Sequence, residues 1–345
     1  MQQVTPPYKC DIMLIIRCLA YNHAAYIRQT LDGFVMQQTN FKFVAVVHDD
    51  ASTDGTADII REYAEKYPDI IVPILEKENL YSKADGSLRR VMLEATRSVG
   101  AKYCAICEGD DYWTDPLKLQ RQVDYMEAHP ECSMTCTAAK RFSDKREMFL
   151  QDVRPAQADG PLRPEDIIME GGLYIATCSI VLRTDLLFSE AYNRDYIKKC
   201  HVGDYPLQIF CAMRGEVYYF NDPMSVYRVD NGLSWGGRVA KASVQKRISG
   251  HRSECRLLEG FAKDYPKYRN TFLKTLSMYV ACQYHSGMAK EDYRCLNDGF
   301  AEFRSDIMPL WRLNIYFKQS PIFSAARDFV TGHIGILLMK IVKRH

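Results

Sequence analysis

The 345-residue sequence lacks the features of a membrane protein, a secreted precursor or a repeat array. No window approaches the roughly 20 continuous apolar residues that a membrane-spanning helix needs. Residues 1–7 contain no apolar signal region, and the chain shows neither an internal repeat nor a low-complexity tract. These absences argue against an integral membrane protein and predict a cytoplasmic chain.

The sequence also lacks an excess of one charge, because its 45 basic and 43 acidic residues leave a formal net charge of +2. No whole-molecule field therefore steers the protein onto a polyanion, and we expect no nucleic-acid partner. Any anionic ligand must be met by local groups. The twelve cysteines are dispersed along a long chain, which argues against a disulfide framework and predicts reduced thiols.

Apolar runs alternate with helical periodicity in the first hundred residues, which predicts a β-α-β-α order. Runs without polar alternation are typical of strands that are covered on both faces, and they occupy residues 12–16, 43–47, 70–75 and 103–107. The sequence therefore predicts an α/β fold with a doubly wound, mostly parallel sheet and helices on both faces.

The rest of the chain predicts a less regular region followed by helices. Polar residues 140–165 predict a loop or lid, the apolar run 174–182 predicts a strand, and residues 205–213 predict a helix. Beyond about residue 237 the strand signal fades and helical patterns dominate. We predict two parts, an α/β domain of residues 1–236 and a helical C-terminal extension of residues 237–345.

Acidic residues follow two predicted strands at the point where each strand ends. Asp49 and Asp50 open one run, and Glu108-Gly109-Asp110-Asp111 forms the other. Because ligands of open α/β sheets bind at the carboxyl ends of strands, we expect these groups to converge on one crevice, where they suit Mg²⁺ or Mn²⁺. Taken singly, the first run also suits a turn and helix cap, and the second a solvated loop.

Over residues 10 to 235 the sequence resembles the family 2 glycosyltransferases, the inverting group with a GT-A fold. The motifs that carry the resemblance stand in family order: Tyr21-Asn22, the run from Asp49 to Thr56, Glu108-Gly109-Asp110-Asp111, Gly203-Asp204 and Tyr227-Arg228. The resemblance implies that residues 1–236 form a nucleotide-sugar-binding and catalytic domain.

The same resemblance implies roles for individual residues. Tyr21 and Asp50 would help to hold the nucleotide base and ribose, and Asp54 would belong to the same donor site. Asp110 with Asp111 would form the Asp-x-Asp-type site for the metal and the diphosphate.

Asp204 would be the general base that deprotonates the acceptor hydroxyl. It follows a glycine and precedes a predicted helix, whose N-terminus favours the ionised carboxylate that a base requires. An ordinary helix-capping aspartate is the alternative interpretation.

Two positions depart from the family pattern. Glu108 stands where aspartate is commoner, and its extra methylene could move the carboxylate away from a metal. Asp230 stands two residues after Arg228, where relatives often have a histidine that reaches the metal or the diphosphate. We expect Asp230 to serve as a further hard ligand for Mn²⁺ or Mg²⁺, or else to be a turn residue before Asn231.

The sequence ends in an apolar segment, residues 329–342, that carries basic residues near its end. It is too short to span a bilayer, but it suits an interfacial helix at an anionic membrane, or a helix docked on the protein's own core. An interfacial helix predicts a peripheral location on the inner face of the plasma membrane.

We therefore predict an inverting glycosyltransferase that uses a nucleoside diphosphate sugar, with a UDP-sugar favoured and a hexosyl or N-acetylhexosaminyl group transferred. The resemblance implies a glycan or lipid-linked acceptor in cell-surface polysaccharide biosynthesis. A metal-dependent nucleotidyltransferase would need a basic triphosphate-binding loop, which we do not find. A non-catalytic nucleotide-sugar-binding protein is the other alternative.

Overall fold

The structure, a computed structural model, describes residues 11–231, 243–284, 290–309, 311–312 and 315. Its strands are β1 (Ile12–Ala20), β2 (Lys42–Asp49), β3 (Ile71–Leu75), β4 (Tyr103–Ile106), β5 (Tyr112–Trp113), β6 (Cys132–Ser143), β7 (Met148–Val153), β8 (Gly160–Pro161), β9 (Val181–Arg183) and β10 (Glu216–Val229). Its α-helices are α1 (Ile27–Val35), α2 (Thr56–Lys66), α3 (Leu80–Lys83), α4 (Ser87–Val99), α5 (Lys118–Ala128), α6 (Pro164–Glu170), α7 (Asp195–Lys198), α8 (Asp204–Arg214), α9 (Val244–Asp264), α10 (Arg269–Cys282) and α11 (Lys290–Gly299).

The strands form a ten-stranded sheet in the order β3-β2-β1-β4-β9-β6-β10-β5, with β7 beside β6 and β8 beside β10. β1 pairs in parallel with β2 and β4, and β2 pairs in parallel with β3. The apolar run of β1 is covered on both faces, and its residues Leu14, Ile15 and Ile16 are fully buried. Parallel pairing brings the carboxyl ends of β1, β2 and β4 to the same edge of the sheet.

The second half of the sheet is a long parallel pair, β6 with β10, that β9 joins to β4 by antiparallel pairing. The prediction of a loop or lid over residues 140–165 is wrong for much of the segment, although residues 154–159 lie outside any strand or helix. β6 continues to Ser143 and returns as β7 in a hairpin, where Phe142 and Phe149 make an edge-to-face ring contact at 5.1 Å. No residue of β7 is buried, so the polar residues of this strand resemble those of a loop.

The predicted strand over residues 174–182 is also wrong for most of its length. Residues 177–179 form a 3₁₀ turn, in which the Ser179 hydroxyl donates to the Ala176 carbonyl oxygen at 2.7 Å, and β9 begins only at Val181. The segment is apolar because it is buried, and burial does not require strand geometry.

The chain divides into two compact units. The first contains the sheet and consists of residues 11–167, 172–193 and 207–231; the second consists of residues 168–171, 194–206 and the described residues from 243 onward. In the second unit, the fully buried rings of Phe261 and Phe272 stack at 5.6 Å between α9 and α10. The boundary predicted after residue 236 falls outside the described residues, so it stays a prediction.

Within the described ranges, no helix has both the length and the hydropathy that a bilayer crossing requires. The apolar C-terminal segment, residues 329–342, lies outside the described residues, and its membrane contact stays a prediction. The cysteines that the structure describes are all free thiols.

Candidate active site

Side-chain hydrogen bonds join the segments that follow β1 and β2. The main-chain N–H of Asn22 donates to Ser52 Oγ at 2.8 Å, and Asn22 Oδ1 accepts from the Thr53 N–H at 2.9 Å. The His23 N–H donates to Thr56 Oγ1 at 2.8 Å. Asn22 has a φ of 55°, which asparagine tolerates better than most residues. Residues 22–24 after β1 and residues 52–56 after β2 therefore form one continuous wall.

Asp54 closes this wall with both of its carboxylate oxygens. Oδ2 accepts from the Ala24 N–H at 2.9 Å, while Oδ1 accepts from the N–H of Thr56 at 3.0 Å and from its hydroxyl at 2.6 Å. Burial alone would raise the pKa of Asp54, but the bonds from Thr56 and Ala24 outweigh it and lower the pKa. Asp54 is therefore held ionised while it shapes the wall, and its direct contact with a donor stays a prediction.

Asp50 and Tyr21 differ in their exposure. Asp50 is 4% exposed, and its Oδ1 and Oδ2 accept from the main-chain N–H groups of Leu80 and Tyr81 at 2.7 and 3.0 Å. It therefore ties a third segment to the end of β2. Tyr21, directly after β1, keeps 41% of its surface exposed, so its ring is accessible to a ligand. The predicted roles of both residues at the base and ribose stay predictions.

The acidic motif, residues 108–111, packs closely against the end of β1 because residue 109 is glycine. A Cβ atom on Gly109 would lie 2.9 Å from both Ala20 Cβ and His23 Nδ1. The hydroxyl of Thr30, in α1, lies 3.0 Å from the carbonyl oxygen of Gly109 and 2.7 Å from that of Asp111. The motif is thus held against both β1 and α1.

Three carboxylates of this motif converge, since Glu108, Asp110 and Asp111 each place an oxygen within 4.8 Å of the others. Asp111 is 1% exposed. Burial raises its pKa well above the ordinary value, and the negative charges of Asp110 and Glu108 raise it further. Hard oxygen ligands at this spacing fit a divalent cation such as Mg²⁺ or Mn²⁺, which would relieve their repulsion.

The end of β10 holds two of these carboxylates. The Arg228 N–H donates to Asp111 Oδ1 at 2.8 Å, and Asn231 Nδ2 donates to Asp110 Oδ2 at 2.7 Å. Asp230 lies between them in the chain, but its Oδ2 accepts from the hydroxyl of Ser143 at 2.9 Å. It does not belong to the group of three carboxylates, and its role as a metal ligand stays a prediction.

A buried ammonium group follows the motif in sequence. Lys118 is fully buried, its Nζ donates to Gln122 Oε1 at 2.7 Å, and Nζ lies 4.4 Å from the centre of the Trp113 ring. Burial lowers the pKa of Lys118 to about 8. Trp113 is itself 2% exposed and donates its indole N–H to the carbonyl oxygen of Cys178 at 2.7 Å, so it belongs to the core.

Asp204 belongs to the second unit. It is the first residue of α8, which fits both a general base and a helix-capping aspartate, and its Oδ1 accepts from the Tyr205 N–H at 2.8 Å. Just before it, the His201 N–H donates to Ser253 Oγ of α9 at 3.1 Å. The catalytic role of Asp204 stays a prediction.

Sequence reasoning missed two residues that organise the motif, Thr30 and Asn231. Each contacts the motif from a position at least 79 residues away along the chain. Neither stands in a local pattern that would signal such a contact.

Known proteins resemble this chain in sequence. A model of the family described as glycosyl transferase family 2 matches residues 18–187. An uncharacterized glycosyltransferase of Nostoc sp. is 33% identical over 245 residues, which cover 66% of this chain and 68% of that protein. An uncharacterized Mycobacterium tuberculosis protein is 35% identical over 213 residues, 61% of this chain, and the chain spans only 57% of the length of that relative.

The fold also has a counterpart among solved structures. The crystal structure of residues 1–349 of S. aureus TarS, in complex with UDP-GlcNAc, matches with a TM-score of 0.54 at 15% identity. The match covers 93% of this chain and 89% of that chain. At this identity the likeness concerns the fold alone, and it confirms the GT-A-like fold with a helical C-terminal part.

Proposed function

Because the chain belongs to glycosyltransferase family 2, we propose that it transfers a sugar from a nucleoside diphosphate sugar to an acceptor hydroxyl, with inversion at the anomeric carbon. The observation that carries this proposal is the group of three carboxylates, Glu108, Asp110 and Asp111, at the carboxyl edge of the sheet. They stand beside the wall that Asn22 and Asp54 build, where α/β folds bind nucleotides.

The donor is a UDP-sugar in this proposal. Tyr21 offers an exposed ring to the base, and Asp50 and Asp54 hold the surrounding main chain in place. The UDP-GlcNAc bound by TarS, which shares the fold, supports uracil as the base. The transferred group is a hexosyl or an N-acetylhexosaminyl group.

Asp110 and Asp111, together with Glu108, would hold Mn²⁺ or Mg²⁺, and Asp230 would join them. When bound, the cation offsets the charge that develops on the departing diphosphate. The protein's own part is to hold Asp110 and Asp111 in place despite their repulsion, for which Arg228 and Asn231 supply one donor each.

Asp204 takes the proton of the acceptor hydroxyl as its oxygen attacks the anomeric carbon from the side opposite the diphosphate. Its place at the N-terminus of α8 favours the ionised form, since the helix dipole stabilises a negative charge there.

We extend the proposal to cell-surface polysaccharide biosynthesis on a glycan or lipid-linked acceptor, at the cytoplasmic face of the membrane. Its support is the family resemblance and the apolar, basic C-terminal segment of residues 329–345.

A panel of UDP-, GDP- and dTDP-sugars, each with and without Mn²⁺, tests the donor by thermal unfolding, because a ligand that binds the native state stabilises it. We expect a UDP-sugar to raise Tm only when Mn²⁺ is present, and the same sugar to be transferred with inverted anomeric configuration. Metal-dependent binding without turnover towards any acceptor would contradict the proposed activity.

A further inference from the structure

The side chain of Arg228 lies almost entirely inside the first unit, with 11% of its surface exposed. Its Nη1 donates to Asp144 Oδ1 at 3.0 Å, and its Nη2 donates to Gln29 Oε1. Asp144 follows the end of β6, and Gln29 belongs to α1. A single guanidinium therefore joins three elements of the fold: β10, β6 and α1.

Aromatic rings enclose the same guanidinium. Its central carbon lies 5.0 Å from the ring centres of both Tyr26 and Tyr112 and 5.8 Å from that of Phe142. Planar guanidinium groups stack on such rings while they form ion pairs at their edges, which an ammonium group cannot do in the same way. The enclosure therefore favours arginine over lysine at this position.

The main chain that this side chain anchors is the part that contacts the acidic motif. The Arg228 N–H donates to Asp111 Oδ1, and three residues later the amide of Asn231 donates to Asp110 Oδ2. Asp111 is buried and Asp110 is partly buried, and neighbouring carboxylates of like charge repel one another, so donors are needed to hold them in place. The end of β10 can supply those donors only if it is held in place itself.

We propose that Arg228 is a positioning residue, whose anchored side chain keeps the end of β10 where it holds Asp110 and Asp111. In this proposal the guanidinium acts through the two carboxylates. This inference rests on the proposed function, because it assumes that the two carboxylates bind the metal and the diphosphate. It adds a role for a residue outside the group of three carboxylates.

The test is direct Mn²⁺ binding to the full-length chain, measured by electron paramagnetic resonance without donor or acceptor. We expect Arg228→Met to weaken Mn²⁺ binding by about 10- to 100-fold, as the loss of partners behind metal ligands commonly does. Arg228→Lys keeps the charge opposite Asp144 but loses the planar stacking, and we expect a smaller, measurable loss. Transfer lost at low Mn²⁺ should return at saturating Mn²⁺, which a loss of folded protein would not allow.

Arg154 offers a matched control in the same unit. It pairs with Asp152 at 3.0 Å and donates to Asn221 at 2.7 and 2.8 Å, and it touches no member of the acidic motif. Arg154→Met should keep the wild-type Mn²⁺ affinity. A folded Arg228→Met with wild-type Mn²⁺ affinity overturns the inference, and if that variant does not fold, wild-type affinity in Arg228→Lys does so. Absence of Mn²⁺ binding in the wild type would instead overturn the proposed metal site itself, and the inference with it.

Discussion

Replacing Gly109 by alanine tests whether close packing against β1 is what places the acidic motif. The added Cβ atom would lie 2.9 Å from Ala20 Cβ and from His23 Nδ1, and 3.1 Å from Ile27 Cδ1. Carbon atoms prefer a separation of about 3.5–4.0 Å, so the methyl group overlaps its neighbours by close to 1 Å. Ala20 ends a strand that pairs with β2, so it cannot retreat easily, and the motif itself must move.

Overpacking of this kind costs about 1–3 kcal/mol of unfolding free energy. For a chain of this size, each kcal/mol lowers Tm by about 2–4 °C, so we expect a fall of about 2–12 °C. A shift of the carboxylates by about 1 Å can reduce a positioned reaction by up to about 100-fold. We therefore expect Gly109→Ala to lose both stability and Mn²⁺-dependent transfer.

Thermal unfolding and a Mn²⁺ titration of sugar transfer measure the two effects separately. Gly299→Ala is the matched control, because its Cβ atom would lie 2.5 Å from Ile248 Cγ2 in the second unit. It should lower Tm and leave the Mn²⁺ requirement unchanged. Wild-type Tm and wild-type transfer in Gly109→Ala would refute the reasoning, since they would show that the motif has room to spare.

Three further predictions concern single side chains. Asp204→Asn should keep the donor-induced rise in Tm but reduce transfer by about 10²–10⁴-fold, and near-normal turnover would remove Asp204 from the mechanism. Asp230→Ala should raise the Mn²⁺ concentration for half-maximal transfer, while Asp230→His largely preserves it; an unchanged requirement in Asp230→Ala would assign the residue to the turn. Burial lowers the pKa of Lys118 to about 8, whereas an unfolded lysine has a pKa of about 10.4. Between these two pH values the unfolded chain binds more protons than the folded one, so the unfolding free energy rises with pH. We therefore expect the unfolding free energy of the wild type to rise over this range relative to that of Lys118→Met. A difference that does not change with pH, measured by denaturant unfolding, would show that Lys118 titrates normally.

The local pattern of apolar residues was sufficient to predict the strands of the parallel half of the sheet. β1 and β2 are apolar over most of their length because both faces are covered, so their composition alone distinguishes them from exposed elements. Their parallel order then implies that the acidic residues after β2 and β4 share one edge. Asp110 and Asp111 do lie together there, and Glu108 lies with them despite its longer side chain, but the group contains neither Asp49 nor Asp50 from the end of β2.

Local pattern failed where one face of an element is exposed or where burial is irregular. No residue of β7 is buried, so its polar residues resemble those of a loop, whereas residues 177–179, Thr-Cys-Ser, form a buried 3₁₀ turn inside an otherwise apolar run. In both places the amino-acid composition reflects how far the segment is buried. Strand geometry depends instead on a partner strand, which the local sequence does not specify.

The amino-acid sequence by itself determined the α/β order, the family and the edge at which the carboxylates collect, because each depends on short-range periodicity or on contiguous motifs. Only the tertiary structure decided what holds those carboxylates in place. Arg228 reaches Asp111 across 117 residues, and Asn231 reaches Asp110 across 121. The physical reason is that a hydrogen bond depends on positions in space to within a fraction of an ångström, and for residues so distant in sequence those positions result from the packing of the entire first unit.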